Sequence, residues 1–207
     1  IDQAFRGLAV LLQFEDFTSD VLRTVDFLGE PRVHLVGLSM GGRIARNVAL
    51  AHPDRVRTLT LANTSPGFDA LTPEEVLRFV EEREHRSAES AARLLGSRAR
   101  PGAHAALLAS FHALRNDSYR KTLEASVAQD RAAPLEKLAV PTLVISGDED
   151  RVYPPELAER MARRIPGAKL VVIADCGHLS NLEQPERFNE VLLEFLLSSE
   201  PVSRRTP

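Results

Sequence analysis

Apolar positions along this chain change their spacing repeatedly, and each change marks an element. From Glu15, the residues Phe17, Val21, Leu22, Val25 and Leu28 recur every three or four positions, the spacing that lines one face of a helix, and Gly29 followed by Pro31 supplies a stop. The next apolar run, Val33-His34-Leu35-Val36, is short and reads as a strand. Helical spacing returns after Ser39, with Ile44, Val48 and Ala49 on one face and His52-Pro53 at the end. Val56 to Ala62 is then a nearly continuous apolar run, the pattern of a strand covered on both faces in a parallel sheet. Strand, helix and strand with a short return make an α/β unit.

Between Pro66 and Arg131 the β-branched runs vanish, and Ala, Leu, Glu and Arg dominate segments punctuated by Gly96, Pro101-Gly102 and Asn116-Asp117. Several helices are expected there. The first has a capping box with Thr72 as N-cap, Pro73 in the first helical position and Glu75 completing it. The charge run Glu81-Glu82-Arg83-Glu84 reads as a solvated helix face. From Pro134 the alternation resumes, with a strand over Val140 to Ser146, a helix over Pro155 to Ile165 and a strand over Lys169 to Ala174. The last helix runs from Pro185 to about Leu197, with Phe188, Val191, Leu192, Phe195 and Leu196 in one amphipathic stripe, and Ser198 to Pro207 reads as a frayed tail. The expected architecture is a mostly parallel α/β sheet with helices on both faces and an inserted helical cap. Its parts are a core segment over residues 1–65, the cap over 66–132 and a second core segment over 133–207.

Composition narrows the function classes. A chain of 207 residues can bury one sizeable core, and a net charge of −3 with mixed signs offers no basic face, so no nucleic-acid partner is expected. No apolar run reaches the length that crosses a bilayer, and residues 1–14 lack the pattern of an export signal. The single cysteine, Cys176, cannot form an internal disulfide, which favours a reducing, cytoplasmic setting. His34, His52, His85, His104 and His112 show no metal-ligand spacing, so neither metal nor other cofactor is expected.

The chemistry concentrates at three strand ends. Gly37-Leu38-Ser39-Met40-Gly41, between a strand and a helix, has the form of a nucleophile elbow, a sharp turn that lifts a serine hydroxyl clear of the sheet. Such a turn tolerates only small residues on either side of the serine, here Gly37 and Gly41. The Met40 N–H, at the start of the helix, is positioned as an oxyanion donor. A serine needs a base, usually a histidine oriented by a carboxylate. One strand end carries Gly147-Asp148-Glu149-Asp150, and another carries Asp175-Cys176-Gly177-His178. Ser39, Asp150 and His178 are thus the candidate nucleophile, acid and base. Asp148 is the rival acid, ordinary as a turn former. Cys176 reads as a small semi-buried residue, and Arg43 as a solvent-facing helix residue or, less readily, a contact for an anionic substrate.

The order Ser, Asp, His and the stretches 33–42, 145–150 and 177–186 resemble the α/β-hydrolase superfamily, and most closely its lactonase and esterase branch, which includes 3-oxoadipate enol-lactonases. The similarity runs from about residue 15 to 197. It implies hydrolysis of a carboxylic ester or lactone, a small-molecule substrate, no cofactor, and Asp150, three residues after the glycine, as the acid. Family members have four strands before the elbow strand, whereas 32 residues precede Val33 here, so the first strands and the loop bearing the second oxyanion donor are expected to be absent. Asp2 and Arg6-Gly7 faintly match the family's Asp-x-Arg-Gly-x-Gly turn. An elbow strand without those neighbours would present an apolar edge open to self-association. The alternatives are a non-catalytic hydrolase-like binding module, and haloperoxidase-like or acyltransferase chemistry on the same three residues.

Overall fold

Val33–Leu38 (β1), Val56–Ala62 (β2), Thr142–Gly147 (β3) and Lys169–Ile173 (β4) pair in the order β1-β2-β3-β4, every neighbour parallel. The coordinates are a computed structural model that describes residues 12–67, 78, 81, 87–129 and 133–199. Parallel neighbours need crossovers. Met40–Ala51 (α2) connects β1 to β2, and Pro155–Arg164 (α6) connects β3 to β4. Between β2 and β3 lie the helices Ser87–Leu94 (α3), Ala103–Ala113 (α4) and Asn116–Gln129 (α5). Phe14–Phe27 (α1) precedes the sheet, and Ser180–Glu183 (α7) and Pro185–Ser199 (α8) follow it.

Each strand alternates its side chains between two cores. Leu59, Leu61 and Val144 pack with Ala45, Val48 and Ala49 of α2 and with Ala158 and Met161 of α6. Ala62, Leu143, Ile145 and Ile173 pack on the other side with Phe188, Val191 and Phe195 of α8. The two central strands are accordingly buried along nearly their whole length, as their continuous apolar runs require. Among the described residues β1 pairs on one side only, with β2, and Val36 is 45% exposed.

Several expectations shift. The first helix buries Phe14 and Val25, while Leu28 is its exposed C-cap, because the chain reverses at Gly29 (φ 70°) before another turn can bring Leu28 onto the core. Asn116-Asp117 starts a helix where a break was expected; both residues favour helix N-termini as readily as turns. Val140 and Pro141 precede β3, since proline cannot donate to the ladder. Ser198 and Ser199 extend α8 and donate their hydroxyls to the Phe195 carbonyl. The capping box at 72–75, the charge run beyond Glu81, the turn at 2–7 and the end of the tail lie outside the described residues. Among the described residues no helix is long and apolar enough to cross a membrane.

Candidate active site

Four parallel strands end at one edge, so the residues directly after them share a rim. The Ser39 N–H donates to the Ala62 carbonyl and the Asn63 N–H to the Ile145 carbonyl, which ties three strand ends together. Ser39 itself has φ 54° and ψ −121°, a conformation of the left-handed region that a serine adopts only under constraint. The constraint is visible: a Cβ on Gly37 would lie 2.3 Å from the Gly41 carbonyl oxygen, and one on Gly42 would lie 2.8 Å from the Thr64 side chain. The glycine requirement therefore falls on Gly37 and Gly42. It does not fall on Gly41, whose Cβ would meet nothing within 4 Å, because its Cα–Cβ direction points away from β1. The Thr64 hydroxyl also donates to the Ser39 carbonyl at 2.6 Å. Helix α2 begins at Met40, so the Met40 N–H belongs to the first-turn donors that lack an intrahelical acceptor.

The Ser39 Oγ lies 2.9 Å from His178 Nε2, and His178 Nδ1 lies 2.9 Å and 3.1 Å from the two carboxylate oxygens of Asp150. His178 and Asp150 are both buried, and the Tyr153 ring meets the imidazole edge-on at 5.5 Å. Asp150 Oδ1 further accepts the Val152 and Tyr153 N–H groups, and Oδ2 accepts the Asn63 side-chain amide. Burial on its own raises the Asp150 pKa, but the bond to His178, its charge and the Tyr153 and Asn63 donors outweigh it and hold the carboxyl below its ordinary value. The rival Asp148 accepts the Cys176 N–H and is not joined to His178. Cys176 is fully buried, and burial reinforced by Glu183 and the three acids of the 148–150 loop pushes its thiol up to about 12, so it stays protonated.

Asn63 carries contacts that the sequence did not disclose. It sits just past β2 with φ 45°, a position asparagine tolerates better than most residues. Its Nδ2 donates to Asp150 and to the Gly177 carbonyl, and its Oδ1 accepts the Ser180 hydroxyl. One amide thereby joins the Asp150 loop to the His178 loop. The available signal was an asparagine directly after the carboxyl end of a largely apolar strand. Arg43 is 3% exposed and lies in the core, contrary to the solvent-facing expectation. Helix α2 is central, so its polar side is covered too: the Arg43 guanidinium stacks 5.4 Å from the Phe14 ring of α1 and donates to the Ser126 carbonyl and hydroxyl of α5. His34 bonds Thr58, His104 bonds the Ala88 carbonyl and His112 bonds Ser87; His85 lies outside the described residues.

A sequence model described as "Alpha/beta hydrolase family" matches residues 5–191. The 2-hydroxy-6-oxononadienedioate/2-hydroxy-6-oxononatrienedioate hydrolase of Paraburkholderia phymatum is 32% identical over 196 aligned residues, covering 87% of this chain and 68% of that protein. Among solved structures, the enol-lactonase from Burkholderia xenovorans LB400 superposes with a TM-score of 0.80 at 29% identity, over 90% of this chain and 74% of that one. A thermophilic esterase from Thermogutta terrifontis gives a TM-score of 0.83 at 29% identity, over 94% and 75%. The chain thus spans between 68% and 75% of the length of these relatives.

Proposed function

Because the chain belongs to the alpha/beta hydrolase family, we propose that it is a serine hydrolase that cleaves a carboxylic ester or lactone through an acyl-enzyme. The observation that carries this reading is the unbroken line of hydrogen bonds from the Ser39 hydroxyl through His178 to Asp150. With Nδ1–H donating to an ionised carboxylate, Nε2 is left as the acceptor for the serine proton. Ser39 Oγ attacks the carbonyl carbon while its proton passes to His178, and Asp150 stabilises the imidazolium. The Met40 N–H meets the oxyanion; a donor of this kind is worth about 2.7–4 kcal/mol in the transition state. Collapse expels the alkoxide or enolate, which takes the proton from His178. Water then attacks the acyl carbon with His178 again accepting a proton, and the acid and free Ser39 are released.

Helices α3 to α5, within the segment 66–132, are the cap of this reading and shape the pocket above the rim. An esterase and an enol-lactonase among the structural relatives support the ester or lactone class. A cytoplasmic location belongs to the same proposal and rests on the lone cysteine being buried and unpaired with another. A fluorophosphonate probe tests the chemistry. The wild type is expected to be labelled at Ser39, Ser39→Ala to remain unlabelled, and His178→Ala to react at least about 10³-fold more slowly. A folded wild type that takes up no probe would instead be a binding module. Product analysis with water, peroxide and alcohol as competing acceptors separates hydrolysis from peroxide or acyl-transfer chemistry.

A further inference from the structure

Glu183, at the end of the short helix α7, is 1% exposed. Its carboxylate is solvated by backbone: Oε2 accepts the N–H groups of Gly96 at 2.6 Å and Gly177 at 3.0 Å, and Oε1 accepts that of Leu179 at 2.9 Å. Gly177 and Leu179 are the two neighbours of His178. The His178 N–H itself donates to the Leu94 carbonyl at 2.8 Å. Three successive peptide N–H groups around the imidazole are therefore anchored, two of them by one buried carboxylate and the third by the end of α3.

The remaining donor, Gly96, belongs to the segment that follows α3. That segment runs against the His178 loop with no room between the backbones: a Cβ on Gly96 would lie 2.5 Å from the Gly177 nitrogen, and one on Gly177 would lie 2.6 Å from the Gly96 nitrogen. The Arg100 N–H closes the same seam by donating to the Glu183 carbonyl at 3.1 Å. On the other side Glu149 accepts both the N–H and the hydroxyl of Ser97, tying the segment to the Asp150 loop.

We propose that Glu183 is a positioning residue for His178, and that through Gly96 it makes the reach of the imidazole toward Ser39 depend on the docking of the inserted helical segment. The physical requirement is an acceptor with no donor of its own, because all three N–H groups converge on it. A carboxylate meets that requirement; a glutamine amide must turn its NH₂ toward one of the groups. Bonds to an ionised acceptor are also about twice as strong as neutral ones, which suits a loop whose misplacement by about 1 Å lowers the rate on the order of 10²-fold.

The inference rests on the serine-hydrolase reading, and Glu183→Gln in the full chain tests it. Circular dichroism and thermal unfolding report the fold, fluorophosphonate labelling and ester turnover report the nucleophile, and the low-field proton resonance of His178 Nδ1–H reports its bond to Asp150. The folded variant is expected to lose roughly 10–100-fold in kcat and labelling rate with KM nearly unchanged, and its low-field resonance to broaden or vanish. Unchanged kcat and an unchanged resonance in a folded variant would overturn the proposal. Should Glu183→Gln not fold, Gly96→Ala takes its place, since it pushes the segment off the His178 loop while leaving Glu183 and His178 intact. It is expected to give the same kcat-selective loss, and wild-type kcat would overturn the coupling. If the wild type itself is not labelled, the hydrolase reading fails. The resonance of the variant then still decides whether Glu183 holds His178.

Discussion

At the elbow, geometry is set by exclusion: a methyl on Gly37 would meet the Gly41 backbone and one on Gly42 the Thr64 side chain, and Ser39 is held in a left-handed conformation. Across the rim, the loops that carry Asp150 and His178 are set by attraction. Asp150 collects donors from Val152, Tyr153, Asn63 and His178, and Glu183 collects them from Gly96, Gly177 and Leu179. The first region is closed by contacts within the motif and with Thr64, 25 positions away, the second by partners up to 87 positions away. Steric exclusion fails abruptly when one atom is added, whereas a hydrogen-bonded loop loses one anchor at a time.

The largest effect expected from this contrast is Gly37→Ala. Its added carbon meets a backbone carbonyl at 2.3 Å, which no rotamer can relieve, so the elbow must move. Destabilisation beyond the usual ~1–3 kcal/mol of an overpacked site is expected, measured by urea unfolding of the purified variant. A Gly37→Ala protein as stable as the wild type would show that sterics do not set the turn.

Asn63→Ala removes one anchor from the opposite side. The buried groups it leaves without a partner lower stability by about 1–3 kcal/mol, and the fold is expected to survive. The pH dependence gives the sharper readout. Asp150 has a folded pKa below its ordinary value of 3.8, so its ionised form contributes stability that is complete above that pH and is lost as pH falls through the lowered folded value. Asn63 is one of the donors that lower it. Without Asn63 the folded value rises toward 3.8, the ionised carboxylate contributes less stability above that pH, and the acid-unfolding midpoint moves upward. A midpoint that stays at the wild-type pH would mean the Asn63 amide does not stabilise the carboxylate.

The same contrast explains what could be read from the chain. The strand Val56–Ala62, the elbow and the stripe Phe188, Val191 and Phe195 are local patterns, and each lies where the periodicity puts it. The convergence of Ser39, Asp150 and His178 was legible because each follows a strand, and parallel strands deliver their ends to one rim. Asn63 and Glu183 were not, because an acceptor or donor acquires its meaning only from the loops that converge on it. Arg43 misled for a related reason: a charged residue on a helix reads as exposed until a second layer of helices is known to cover it. The left-handed turn at Ser39 was inferable from the motif, but which glycine it needs was not, since that depends on the approach of Gly41 to β1 and of Thr64 to α2.

The smallest effect isolates that last point. Gly41 and Gly37 stand symmetrically about Ser39 in the sequence, and the motif treats them alike, yet a Cβ on Gly41 points into open space. Gly41 also lies in the first turn of α2 with no positive φ, so an alanine there needs no change of backbone. Gly41→Ala should therefore leave the fold intact and raise its stability by up to about 0.5–1 kcal/mol, the helical advantage of alanine over glycine together with the reduced entropy of the unfolded chain. Thermal unfolding of the two alanine variants side by side reads the difference directly. Equal losses in both would mean that the turn depends on flexibility at each glycine; a loss confined to Gly37→Ala means that it depends on the space between β1 and the first turn of α2.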